Sequence, residues 1–527
     1  MNSFGLDELN TSRLMSILES HSCISKAVIF GSRARNTFKV TSDIDIAIWT
    51  DLNSESLSLS SNVISSLKAD FEDSLIPYTV DLIDYQQLSN QRLKEEIDRY
   101  GKVFYLRGWV ETSLGEVCEK IGSGSTPRGG NEVYKNKGIS LIRSQNVLDF
   151  DFSYNGLAFI DDIQASLLNN VTVLSGDILI NITGDSVARV CMVPERVLPA
   201  RVNQHVSILR TIKESLLPEF LKYYLLNPVF KNYLLILANS GGTRNALTKG
   251  ILENLKIFLP PLSEQKAIAA VLSSLDDKIE LLREQNKTLE TIAQVLFKEW
   301  FIDFNFPDEN DEPYKKSGGK MVDSELGEIP EGWRVKSVSE IIAITDGTHD
   351  SPKQVEQGYP LITSKHINKD SIDIKKAYLI SKTDFDDINR RSKVEQFDIL
   401  ISMIGTVGLI MPILSDQIDF AIKNVGLFRT SAKLEFFEYI LLTLKSSSGS
   451  NYIQQNQSGT TQKYLTLGGL RDFTIFEPSY CLLQRFHSCT NSLYLKLKLN
   501  LEEIEELSNT RDKLLPKLMK GEIRLRK

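Results

Sequence analysis

The sequence predicts a multidomain α+β chain: a small α/β unit at the front, two copies of an α+β module, and two long helices that pair as an antiparallel coiled coil. Three observations predict it. Short apolar runs alternate with helical stretches over residues 1–107, segments recur at a period of about 220 residues, and each copy closes on a helix with the same heptad pattern.

The 527 residues, 42% hydrophobic and 24% charged, are enough for several separate cores. No run of about eighteen apolar residues occurs, and no basic stretch followed by an apolar one opens the chain. Neither a membrane span nor a secretion signal is expected, and a cytoplasmic location is the default. The formal charge of -7 argues against a protein that grips nucleic acid by bulk electrostatics. Any such contact must be local or shared with partners. Cys23, Cys118, Cys191, Cys481 and Cys489 are scattered and lack CxxC spacing, so they read as buried thiols and not as disulfide or zinc ligands.

In the front unit the runs Ala27–Phe30, Ile44–Ile48 and Thr79–Ile83 read as short buried strands, with helices near 55–74 and 86–100. Gly31 and Ser32 follow the first strand. Asp43 and Asp45 open the second, and period-two geometry puts both carboxylates on one face. With Asp81 on the third strand they would bind Mg²⁺, which activates an attacking hydroxyl and steadies a leaving pyrophosphate. Backbone donors of Gly31 and Ser32 would hold a triphosphate.

The string Gly31-Ser32-Arg33-Ala34-Arg35 with Ser42-Asp43-Ile44-Asp45 resembles the minimal nucleotidyltransferase family of the polymerase-beta superfamily, over residues 1–107. The resemblance implies ATP and Mg²⁺ as ligands of this domain. It gives catalytic and metal-binding roles to Asp43, Asp45 and Asp81, and nucleotide contacts to Gly31, Ser32, Arg33 and Arg35. Asn36 stands where that family usually has glycine. Many members adenylylate a partner toxin; the acceptor here is not legible.

The duplication shows in three places. Leu141-Ile142-Arg143-Ser144 recurs as Leu361-Ile362-Thr363-Ser364, Gly176-Asp177-Ile178-Leu179-Ile180 as Phe397-Asp398-Ile399-Leu400-Ile401, and Ser240-Gly241-Gly242-Thr243 as Gln457-Ser458-Gly459-Thr460. The expected order is a first module at 108–261, a helix at 262–304, a polar linker at 305–332, a second module at 333–478 and a second helix at 479–527.

Pro260-Pro261 halts the preceding strand, and Ser263 is placed to cap the first helix. Ile268, Leu272, Leu275, Ile279, Leu282, Asn286, Leu289, Ala293, Leu296 and Trp300 then form a heptad seam. The second helix repeats it with Phe486, Thr490, Leu493, Leu497, Asn500, Ile504, Leu507, Arg511, Leu514 and Leu518. Antiparallel pairing with Asn286 facing Asn500 lets the two amides satisfy each other and fixes register. Leu275 facing Arg511 is the one imperfect layer.

Gly327-Glu328-Ile329-Pro330-Glu331-Gly332-Trp333, the Leu259-Pro260-Pro261-Leu262-Ser263-Glu264-Gln265 turn and the closing Leu518-Met519-Lys520-Gly521-Glu522-Ile523 resemble segments of type I restriction-modification specificity subunits, over residues 108–527. In that family each module is a target-recognition domain reading one half of a split, asymmetric site on double-stranded DNA. The helix pair separates the modules and binds methyltransferase subunits, which recruit the restriction and translocation subunits. The resemblance implies a part without catalysis or cofactor of its own, and no Walker loop or methyltransferase Asn-Pro-Pro-Phe box is present.

Arginine and lysine read guanine, asparagine and glutamine read adenine, and any of them also holds phosphate. On that chemistry the DNA candidates are Arg128, Arg143, Asn146, Arg201, Gln204, Arg244 and Lys249 in the first module, and Lys365, His366, Lys423 and Lys463 in the second. Two other readings compete with DNA specificity. One is a Mg²⁺-dependent adenylyltransferase that uses the duplicated modules for targeting; the other is a protein-interaction scaffold, against which the paired basic and amide clusters weigh.

Overall fold

A computed structural model describes residues 4–50, 57–239, 245–368, 371–459 and 463–523. The chain divides into two units, Met1–Asp277 with Leu507–Lys527, and Lys278–Glu506. Among the described residues no helix is long and apolar enough to cross a membrane.

The first unit begins with a four-stranded mixed sheet in the order β3-β2-β1-β4, where β1 is Ile24–Phe30, β2 Ile44–Thr50, β3 Val80–Asp84 and β4 Lys102–Leu106. β2 and β3 run parallel; β1 is antiparallel to both of its neighbours. The helices are α1 Glu8–Ser20, the single turn α2 Gly31–Ala34, α3 Leu57–Glu72 and α4 Gln91–Tyr100. β1 is apolar on both faces because both are covered: Ala27 and Ile29 pack with Leu14, Leu18 and Ile46, while Val28 and Phe30 pack with Ala47 and Ile97. The expected strands and helices are present. α1 and β4 were not expected: α1 is mostly polar and starts on an Asp7 cap, and β4 continues the chain one residue after α4.

The module that follows holds two sheets. One is ordered Val190–Met192, Ile178–Asn181, Val206–Thr211, Cys118–Ser123; the other Ala158–Ile160, Ile139–Ile142, Ala200–Val202, Thr172–Val173. In the latter, Ala200–Val202 lies parallel to Ile139–Ile142, with Arg201 beside Leu141. The second unit repeats this, its strand Ala421–Lys423 lying parallel to Tyr359–Thr363 with Leu361 beside Ala421.

The repeated Asp177 and Asp398 explain one duplicated motif. Each is fully buried and accepts from the backbone N–H three residues earlier, Leu174 at 2.7 Å and Glu395 at 2.8 Å, closing the turn into the strand. Phe397, at φ 67°, takes the left-handed conformation of Gly176 at 83°. The third duplicated segment, 240–243 with 457–460, lies largely outside the described residues.

The first long helix runs Leu262–Phe297 and continues as a π-helical turn, Lys298–Ile302; the second runs Tyr480–Met519. Ser263 lies inside the first turn and does not cap it. Gln265, fully buried, anchors that end instead, accepting from Leu217 N at 2.9 Å and donating to the carbonyls of Ser215 and Pro260. Within the second unit Asn500 Nδ2 donates to Asn286 Oδ1 at 2.8 Å, Lys278 pairs with Glu503 at 3.2 Å, and Trp300 meets Phe486 with centroids 5.6 Å apart. Numbers rise along one helix as they fall along the other, so the pair is antiparallel. Within the first unit the imperfect layer resolves itself: Arg511 bonds Asp276, next to Leu275, at 2.9 Å and covers the Phe150 ring.

Two expectations are corrected. The segment 305–332 is not a bare polar linker, because its scattered aromatics find partners: Phe306 stacks on Tyr314 and on Trp333, and Met321–Ser324 pairs with Gly327–Pro330 as a hairpin. Of the cysteines, all unpaired, Cys118 and Cys191 are buried but Cys481 and Cys489 are exposed on the second long helix and Cys23 is intermediate.

Candidate nucleic-acid interface and carboxylate site

Parallel strand pairing gathers the first module's candidates. Residues 143–146 follow the strand Ile139–Ile142, and residues 203–205 follow its parallel neighbour Ala200–Val202, so both loops leave the same sheet edge. Between them opens a pocket of about 380 Å³ lined by Ser144 and Gln145, by the turn Thr183-Gly184-Asp185-Ser186, and by Arg189 and His205. A hydrogen-bond chain builds one wall. Thr126 donates to Gln204 Oε1, Gln204 Nε2 meets His205 Nε2 at 3.0 Å, and His205 Nδ1 meets Thr183 Oγ1 at 2.6 Å.

The second module places Ser364–His366 and Lys423-Asn424 at the equivalent edge, because they too end or follow parallel strands. Its return loop is shorter by one residue: three residues separate Val202, the partner of Ile142, from Val206, where two separate Ile422, the partner of Ile362, from Val425. Lys423 and Asn424 there stand against Asn203, Gln204 and His205. Lys423 is half-buried and donates to Ser351 at 2.5 Å.

Three candidates organise loops, contrary to expectation. Arg201 is 8% exposed and spends its guanidinium on the carbonyls of Ala165 and Ala200 and on Asn169 Oδ1. Asn146 is fully buried and bridges Arg143 N to the carbonyls of Ser153 and Asn155. His366, 2% exposed, repeats that role by accepting from Thr363 N at 3.0 Å; burial, then neighbouring Lys365, holds its imidazole below the usual range. Asn146 and His366 lie in the turn after a strand and Arg201 within one, and the buried backbone groups beside them need partners. Arg143 is half-buried, donating to Gly156 O beneath Tyr134. Arg128, Gln204, Lys249, Lys365 and Lys463 are exposed, and Arg244 lies outside the described residues.

In the front domain, Asp45 and Asp81 are direct neighbours across β2 and β3, and Asp43 sits just before β2. Burial raises the Asp45 carboxyl above its ordinary value, and the charges of Asp81, Asp43 and Glu96 raise it further. Gly31, at φ 68°, is required here twice over: the conformation disfavours a side chain, and a Cβ would strike the Asp45 carboxylate. Asn36 takes φ 59°, so the turn keeps the backbone of a glycine at the position where the family pattern is broken. Arg33 is corrected from a nucleotide contact to a scaffold. It is 1% exposed and donates to the carbonyls of Phe4, Ser42 and Asp43, fixing the loop that carries Asp43. Arg35 is exposed and pairs with Glu96 at 2.6 Å.

Among the described residues no three acidic, histidine or cysteine side chains close into a metal cage. That arrangement still fits Mg²⁺, which is commonly held by one or two carboxylates together with substrate phosphates. The mutual repulsion at Asp45 is what a divalent cation would relieve.

Residues 107–291 match the family described as type I restriction modification DNA specificity domain, and residues 12–108 match polymerase beta, nucleotidyltransferase. Over 329 residues the chain is 30% identical to the type I restriction enzyme MjaIX specificity subunit of Methanocaldococcus jannaschii, covering 59% of this chain and 71% of that one. The chain belongs to the type I restriction specificity subunits. The HindI specificity subunit of Haemophilus influenzae is 24% identical over 79% of this chain and 99% of its own. The crystal structure of the type I S subunit from M. genitalium is similar over 78% of this chain and 96% of that one, at 15% identity and a TM-score of 0.46.

In this specificity subunit the sequence reasoning overlooked the turn Thr183–Ser186 and Arg189. No basic or amide cluster marks this turn, which is small and polar. Its signal was the Gly184-Asp185 pair two residues beyond a buried strand, with Gly184 at φ 75° matched by Gly405 at 82° in the second module.

Proposed function

We propose that this specificity subunit reads an asymmetric, bipartite site on double-stranded DNA, one half with each module, and docks methyltransferase subunits through its paired helices. Restriction and translocation subunits join through the methyltransferase. The observation that carries this reading is the recurrence of one construction in both modules: a parallel strand pair delivers two polar loops to the same sheet edge. Loops of that kind suit base-edge contacts, while the exposed Arg128, Lys249, Lys365 and Lys463 suit phosphates. A net charge of -7 is consistent with partners that share the electrostatic work.

Footprinting of the chain co-purified with its methyltransferase tests this. The expected pattern is two short protected half-sites separated by an unread gap. A continuous or absent footprint contradicts it.

The front domain supports a second activity. Asp45 packed against Gly31 and beside Asp81 suits a nucleotide triphosphate that shares Mg²⁺ with the carboxylates. Labelled ATP with Mg²⁺ should then label an acceptor in the assembled complex, and Asp43→Ala should abolish it. Absence of label on every subunit would leave this domain a binding module.

A further inference from the structure

The pocket of the first module carries a charge that the second module lacks. Arg189 directly precedes the strand Val190–Met192, and Leu409 directly precedes the equivalent strand Ile410–Pro412. Register fixes the equivalence, since Val190 pairs with Ile180 as Ile410 pairs with Ile401. Arg189 is half-buried and lines the pocket. Among the described residues no hydrogen bond or ion pair engages its guanidinium. A partly desolvated guanidinium with unused donors asks for a planar, acceptor-rich group.

The surroundings are already organised. Arg189 N donates to Ser186 O at 3.2 Å, and its carbonyl accepts from Asn181 N at 2.9 Å. Asn181, fully buried, also donates to Ser144 O at 2.8 Å and Ser186 Oγ at 3.1 Å, tying three sides of the pocket together. On the facing wall, Gln204 and His205 are occupied by each other, by Thr126 and by Thr183. Among the described residues, Arg189 is the strong donor of the pocket that no partner engages.

We infer that Arg189 is the base-reading residue of the first module, donating to O6 and N7 of a guanine, with Asp185 on the same rim accepting from N4 of the paired cytosine. The inference rests on the DNA-specificity reading above. Phosphate is the competing acceptor for an arginine, but the Asp185 carboxylate at the same pocket repels phosphate and suits an amino group. Leu409 cannot donate, so the second module does not read guanine at this position and the two half-sites differ in chemistry.

The test is methylation of a randomised duplex library by the full chain with its methyltransferase, read by sequencing. Wild type should yield a bipartite motif. Arg189→Ala should relax one G·C position in one half by about 5- to 150-fold and leave the other half unchanged. Arg189→Lys, which keeps stem and charge, should relax the same position while overall methylation is retained, an outcome unfolding cannot mimic. A uniform loss across sequences, with the motif unchanged, would mark a phosphate contact and overturn the inference; so would variants with the wild-type motif and rate. If wild type itself gave no bipartite motif, the underlying reading would fall along with this one.

Discussion

The side-chain amide of Asn500, fully buried, donates to the side-chain oxygen of Asn286 at 2.8 Å. Two residues 214 positions apart thus set the register of the helix pair. Removing one partner strands the other. Asn500→Leu should cost about 1–3 kcal/mol in denaturant unfolding, and the double Leu variant should recover most of that loss. Purely additive losses would show that the contact does not couple the two helices.

Asp276 gathers Lys222, Tyr223 and Arg511, at 2.9, 2.7 and 2.9 Å. Burial alone would raise this carboxyl, but Lys222, Tyr223 and Arg511 outweigh it and hold it below its ordinary value. A lowered folded value means the contribution is complete above the unfolded value near 4 and is lost as pH falls through the lowered one. Asp276→Ala, which leaves the buried Lys222 without its carboxylate and Arg511 with Asp512 alone, should cost roughly 3–5 kcal/mol at neutral pH. The mutant's deficit should shrink in melts as pH falls below the ordinary carboxylate range; a pH-independent deficit would argue that packing alone is at work.

Asp45 behaves oppositely. Its raised value means the ionised form costs stability above that value, and the cost vanishes as pH falls below the ordinary carboxylate range. Asp45→Asn should therefore raise the melting temperature of the front domain without Mg²⁺. On the proposed cation binding, wild type should shift upward with Mg²⁺ and ATP, and Asp45→Asn should abolish that shift. Equal shifts in both proteins would exclude Asp45 from cation binding.

The adjacency of Asp45 and Asp81 was legible because motif spacing and strand period coincide there. Arg33 was misread because a motif gives residue type without direction; only the fold shows its guanidinium turned inward onto Ser42 and Asp43. The heptad seam was legible down to the asparagine pair, since a period of seven over ten positions has few competing explanations. The proposed recognition surface was less so. Arg201, Asn146 and His366 carry the chemistry of base contacts yet serve buried backbone. Arg189, isolated in sequence, becomes visible only where strand pairing brings the 183–186 turn to residues 144 and 205.

Leu495 and Leu499, four residues apart on the second long helix, are 42% and 57% exposed. On the proposed docking of methyltransferase along the helices, Leu495→Glu with Leu499→Glu should reduce co-purification of that subunit at least tenfold without moving the melting temperature. Undiminished recovery would place the docking surface elsewhere.

The most direct measurement is a map of methylated bases in cells with this gene intact and deleted. Two-module recognition predicts the disappearance of one bipartite motif, with all other methylation unchanged. An identical map in both strains, or loss of a continuous motif, would contradict it.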